Sequence, residues 1–82
     1  MKRRIFVENE KIAISTDFIK LDQFIKFAGL TGSGAEAKML ILNEDVLVNG
    51  EVCTQRGKKL VPNDRVVIDA LQADLTVVRE GE

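Results

Sequence analysis

The sequence has no histidine and only one cysteine, Cys53. A lone cysteine cannot form an internal disulfide, and without histidine the chain lacks the Cys/His clusters that zinc sites use. Histidine is also the side chain that most often acts as a general acid or base near neutral pH. We therefore expect no disulfide, no metal and no cofactor, and we expect a protein that is not an enzyme.

Large aromatic residues are scarce, because the chain has four phenylalanines and neither tryptophan nor tyrosine. The core must therefore be mainly aliphatic. Phe6, Phe18, Phe24 and Phe27 all sit in apolar patterns, so we do not expect them to stack on nucleic-acid bases. A chain of 82 residues can form one domain, which we expect to span residues 1–82.

No apolar run approaches the ~18 residues that a membrane-spanning helix needs. The start, Met1–Arg4, resembles the basic end of a signal peptide, but Glu8, Glu10 and Lys11 interrupt the apolar stretch that should follow. We therefore expect a cytoplasmic protein without a membrane partner.

Neither sign of charge dominates, since 12 Lys and Arg oppose 13 Asp and Glu for a net charge of −1. The distribution is uneven. Residues 2–4 carry three cations, residues 20–59 carry six cations and five anions, and residues 64–82 carry two cations and five anions. A basic face can exist on such a chain, because a phosphate responds to charges within a Debye length of about 8 Å.

Two short helices are predicted in the middle of the chain. The first should begin at Leu21 and stop before Gly29. The second should follow Ser33, because Ser33 and Glu36 have the spacing of a capping box, and should end near Asn43, where a left-handed conformation is tolerated. Apolar residues at helical spacing are Leu21, Phe24, Ile25 and Ala28 in the first helix, and Ala37, Leu40 and Ile41 in the second.

Short β-prone runs flank these helices. The first two runs could pair as a hairpin across Glu8–Glu10. Asn49-Gly50 favours a type I′ turn because both residues accept a positive φ, and Leu60–Asp64 should turn at Pro62. The predicted strands are Arg4–Val7, Lys11–Ile14, Val46–Val48, Glu51–Cys53, Arg65–Ile68 and Leu75–Val78.

Few residues could carry catalysis. The acidic pair Glu44-Asp45 is typical of a solvated turn, and Cys53 in a β run is typical of a small core residue rather than a nucleophile. The loop Gly29–Gly34 lacks the Gly-Lys-Ser/Thr ending of a nucleotide-binding loop and joins two helices. The helix start at Ser33–Ala35 could offer N–H groups to a phosphate, or could simply be capped with nothing bound.

The clearest charged motif is Arg56-Gly57-Lys58-Lys59, with three cations in four residues. A short charge run is usually a solvated face. Here Lys20 and Lys38 lie near the starts of the two helical patterns. If the hairpin folds back on the helix pair, these cations would converge into a patch that spans several phosphates.

Together these segments resemble the S-four RNA-binding domain, a family named after small-subunit ribosomal protein four. The resemblance covers about residues 19–68, which leaves an N-terminal β extension over 1–18 and a C-terminal strand over 69–82. The short chain resembles the small stand-alone bacterial members. The segments that carry the resemblance are Lys20–Ile25, Gly29-Leu30, Ser33, Glu36–Lys38, Leu40-Ile41, Val46–Gly50 and Leu60–Asp64.

The resemblance implies an α+β fold, a single small domain in which a two-helix αL motif packs on a small, mainly antiparallel, curved sheet. It places Val46 and Val48 in the core with the apolar helix positions. Asn49 could contact RNA or could simply form the turn. Many members have an Arg just before the second helix, and this chain lacks that cation. The implied RNA-facing residues are Lys20, Ser33, Lys38, Asn49, Arg56, Lys58 and Lys59.

The implied partner is structured RNA, either rRNA or tRNA, alone or on the ribosome with a ribosome-associated protein, and we expect a monomer. The alternative is a protein-interaction adaptor with incidental RNA affinity. S-four domains also occur as appendages of pseudouridine synthases and tyrosyl-tRNA synthetases, but 82 residues leave no room for those catalytic domains.

Overall fold

The computed structural model describes residues 8–81. Along this part of the chain, strands precede and follow a pair of helices. The helices are α1 (Leu21–Phe27) and α2 (Gly34–Leu42), and a 3₁₀ turn covers Asp69–Leu71. No helix in this part of the chain is long and apolar enough to cross a membrane. The strands are β1 (Glu10–Ile14), β2 (Ile19–Lys20), β3 (Leu47–Val48), β4 (Glu51–Val52), β5 (Lys59–Leu60), β6 (Arg65–Ile68) and β7 (Ala73–Arg79).

Both predicted helices are confirmed, with one difference at each end of α2. The Ser33 hydroxyl accepts the Glu36 N–H at 3.3 Å, as a capping box requires, but the Glu36 carboxylate accepts the Gly32 N–H at 2.7 Å instead of that of Ser33. Asn43 follows the helix at a φ of −83°. The left-handed residue is Glu44, with a φ of 65°, so the prediction of that conformation at Asn43 was wrong by one residue.

The strands form a five-stranded sheet in the order β1-β7-β6-β3-β4 and a two-stranded sheet of β2 and β5. All neighbours are antiparallel except β1 and β7, which run parallel with Ile12 opposite Val77. Asn49 and Gly50 have φ of 53° and 88°, which confirms the predicted β3–β4 hairpin turn. The partner predicted for β1, Arg4–Val7, lies outside the described residues.

The core lies between the helix pair and one face of the large sheet, and it is aliphatic apart from Phe24. The predicted core positions are buried, with Ala28 and Leu40 only partly so. The single small α+β domain with a mainly antiparallel sheet is therefore confirmed. The buried residues are Ile14, Leu21, Phe24, Ile25, Ala37, Ile41, Val46, Val48, Leu60, Val66, Ile68, Ala73, Leu75 and Val77.

Candidate nucleic-acid interface

The basic loop before β5 is attached to the start of α1 by its backbone. Lys20 precedes α1 and makes no side-chain cap. Instead, the Leu21 N–H donates to the Lys58 carbonyl at 2.8 Å, and the Asp22 N–H donates to the Arg56 carbonyl at 3.1 Å. Because the loop's carbonyls satisfy these helix donors, the side chains of Arg56 and Lys58 are held beside α1 and remain exposed.

The short sheet adds two more cations at the same place. Lys20 lies opposite Lys59 in the β2–β5 pair, and Ile19 lies opposite the fully buried Leu60. Burial of Leu60 anchors β5 to the core, so its neighbour Lys59 must point to solvent. The structure thus brings together Lys20, Arg56, Lys58 and Lys59, which we call the basic cluster.

Two arginines outside the basic cluster, Arg65 and Arg79, are neutralised by ion pairs. Arg65 Nε donates to Asp74 Oδ1 at 2.8 Å, and Arg79 Nη1 lies 3.0 Å from Asp17 Oδ1. The hydrogen bond from Arg65 lowers the pKa of Asp74 from 3.8 to about 2. Within residues 8–81 no ion pair involves the basic cluster. Its charge therefore remains available to a polyanion.

The other predicted RNA-facing residues are placed differently. Lys38 is exposed in the middle of α2. The Ser33 hydroxyl is used by the α2 cap. The Asn49 amide donates to Asp64 Oδ1 at 3.0 Å and accepts the Arg65 N–H at 2.9 Å, which supports its reading as a turn residue.

Neither Cys53 nor the acidic pair Glu44-Asp45 belongs to a group of side chains, within residues 8–81, that could hold a metal ion. Cys53 is half-buried against the core, and its thiol donates to the Gln55 carbonyl at 3.6 Å. It lines a shallow groove of about 280 Å³ beside β4, together with Val52 and Lys58. Among residues 8–81 no three His, Cys, Asp or Glu side chains are grouped so that they could hold a metal ion.

Two of the three phenylalanines within residues 8–81 are exposed, contrary to the sequence-based expectation, and Phe6 lies outside the described residues. Phe24 is fully buried, but Phe18 is 41% exposed and Phe27 is 60% exposed. The Nζ of Lys59 lies 4.8 Å from the centroid of the Phe18 ring. The polar run Ser15–Asp17 before Phe18 is the signal in the sequence that could have indicated a loop position.

Comparison with known proteins gives two matches. The family model of the S4 domain, the S-four family of the sequence analysis, matches residues 12–78. The chain is 43% identical over 58 residues to the "Probable ribosome maturation protein RlbA" of Bacillus subtilis (strain 168). That alignment covers 71% of this chain and 82% of the relative. Both matches confirm the resemblance that the sequence motifs indicated.

Proposed function

Because the chain belongs to the S4 domain family, we propose that it is a non-enzymatic protein that binds structured RNA through the basic cluster. The observation that supports this most is the docking of the Arg56–Lys59 loop on α1. It concentrates four exposed cations, none of them ion-paired within residues 8–81, on a chain whose net charge is −1. Such a surface binds phosphates through charge and position rather than base sequence.

The proposed RNA is ribosomal, with tRNA as the less supported choice, and the proposed process is ribosome maturation. The support is the similarity to a relative that is named for that process. We place the protein in the cytoplasm as a monomer. Lys38 extends the proposed face along α2, whereas Ser33 and Asn49 contribute through the backbone they hold rather than through direct contacts.

Crosslinking in cells tests this proposal. The protein is purified after crosslinking, the attached RNA is sequenced, and a ribosome gradient is run in parallel. We expect one rRNA region to be enriched, and we expect K58A/K59A to lose that enrichment. The control is K11A/K26A, which removes the same charge from exposed positions outside the basic cluster. Equal RNA recovery with both variants would contradict the proposed face.

A protein-interaction adaptor is the second candidate, and one observation favours it. Met39 and Leu42 lie on the outer side of α2 and are 58% and 52% exposed. Neighbouring exposed apolar side chains are typical of surfaces that bind another protein. An apolar docking surface binds with little dependence on salt, whereas phosphate binding weakens steeply as salt rises. Salt-resistant capture of one protein and absence of RNA would favour the adaptor.

A further inference from the structure

Phe18 is an exposed aromatic ring at the edge of the basic cluster. It lies in the connection between β1 and β2, two residues before Lys20, and 41% of its surface is exposed. The Lys59 ammonium sits over one face of the ring, 4.8 Å from its centroid. A cation over a phenyl face is attracted by the ring quadrupole, so this contact fixes an aromatic surface next to a phosphate-binding group.

The backbone that carries Phe18 is held in place. The Thr16 hydroxyl donates to the Phe18 carbonyl at 2.7 Å, and Asp17 is ion-paired with Arg79 at 3.0 Å. The next residue, Ile19, pairs with buried Leu60. A side chain on a fixed backbone loses less conformational entropy on binding than one on a mobile loop.

We propose that Phe18 is a stacking site for an unpaired RNA base, and that Lys59 and Lys20 bind the phosphate next to that base. The inference rests on the proposed function and adds a substrate feature to it, a single-stranded nucleotide beside the structured region. Every base has a π-face, and an aromatic ring beside cations is how proteins bind single-stranded nucleic acid. Bases inside a duplex have no free face to offer.

Phe27 provides a matched control within the same chain. It is 60% exposed, more than Phe18, and it lies at the far end of α1 from the basic cluster. The cation–π contact found in residues 8–81 involves Phe18 and not Phe27. Exposure alone therefore does not select Phe18; its position among the cations does.

Tryptophan fluorescence tests the stacking directly, because the chain contains no tryptophan. F18W and F27W are titrated at low salt with an RNA hairpin that has a single-stranded tail, and with the same hairpin without the tail. We expect the emission of F18W to be quenched by the tailed hairpin only, and the emission of F27W to be unchanged by both. Unchanged F18W emission while anisotropy reports binding of the tailed hairpin would overturn the stacking site.

Affinity separates this inference from the function on which it rests. F18L keeps an apolar side chain and should bind the tailed hairpin roughly 5- to 150-fold more weakly, the factor that loss of one stacked base implies. Its affinity for the blunt hairpin should equal that of the wild type. Full affinity of F18L together with weak binding by K58A/K59A would overturn only the base site. No binding of either hairpin by the wild type would overturn both.

Discussion

Asn49 makes three hydrogen bonds while its backbone has a φ of 53°. Its N–H donates to the Arg65 carbonyl at 2.8 Å, its amide oxygen accepts the Arg65 N–H, and its amide nitrogen donates to Asp64. Asparagine tolerates the left-handed region better than most residues, so it satisfies the turn and also ties the hairpin to β6. This side chain therefore stabilises the β3–β4 turn and its connection to β6.

We predict that N49A lowers the free energy of unfolding by about 1–2 kcal/mol, because it loses two side-chain hydrogen bonds and strains a positive φ. Chemical denaturation measures the change. N49G is the matched control, since glycine keeps the conformation and loses only the hydrogen bonds, and it should cost less. RNA affinity of the folded N49G protein should equal that of the wild type; a large loss of affinity with full stability would instead indicate direct RNA contact.

The hydrogen bonds of the Asp74 carboxylate predict that the stability of the protein depends on pH in the acidic range. Its carboxylate accepts hydrogen bonds from Arg65 and Asn9, and its pKa falls from 3.8 to about 2 in the folded protein. A lowered pKa means that the folded state favours the charged form of Asp74. The stability that this carboxylate contributes is therefore complete above about pH 4 and is lost as the pH falls toward 2. Unfolding free energies of D74N should therefore fall less steeply across that window than those of the wild type. Parallel curves for the two proteins would contradict this role.

At the scale of elements, α2 is fixed by its cap and by one buried side. Ser33 caps its first turn, and Ala37 and Ile41 are fully buried, whereas Leu42 is 52% exposed. The capping signal and the apolar spacing are local, so the sequence predicted the helix. The neighbouring residues Ile41 and Leu42 have similar hydrophobicity, and the helical spacing from Ala37 assigned the buried position to Ile41, as the structure shows.

The cap predicts a modest stability effect. S33A should lower the free energy of unfolding by about 1 kcal/mol, because the Glu36 N–H loses its acceptor. The control is S15A, at the chain's other serine, which is exposed in a bend. Both are measured by urea denaturation. Equal stabilities of the two variants would show that the cap contributes nothing.

The packing of α2 predicts a larger difference in the free energy of unfolding between two variants. I41A should cost about 2–5 kcal/mol, since it leaves a cavity between the helix pair and the sheet. L42A removes a similar side chain from an exposed position and should change stability by about 0.5 kcal/mol or less. Thermal and urea denaturation of the two variants check the difference. Comparable losses would mean that α2 packs with another face.

At the scale of the whole molecule, what could be predicted from sequence depended on how local each feature is. The β3–β4 turn and the helix ends follow from short motifs. The parallel pairing of β1 with β7 does not, because Glu10 and its partner Leu75 are far apart in sequence and no periodicity specifies which strands meet. The convergence of Lys20 with the Arg56–Lys59 loop depends on the same long-range packing. From the sequence it could therefore be predicted only on the condition that the hairpin folds back on the helix pair.

The packing of the folded chain also assembles the positive charge of the proposed RNA-binding face. We propose that Lys20 and the three cations of the distant Arg56–Lys59 loop form one phosphate-binding surface, although the chain as a whole is slightly acidic. Each phosphate that a cation contacts releases counterions, so the logarithm of affinity should fall linearly with the logarithm of salt concentration.

The most direct measurement is therefore the dissociation constant for a structured rRNA fragment at a series of salt concentrations. Wild type, K58A/K59A and the charge control K11A/K26A, which removes the same charge, are compared. We predict a steep salt slope for the wild type and for the control. For K58A/K59A we predict a slope reduced by roughly one for each removed cation that contacts a phosphate. A flat wild-type slope, or the same slope in all three proteins, would contradict this prediction.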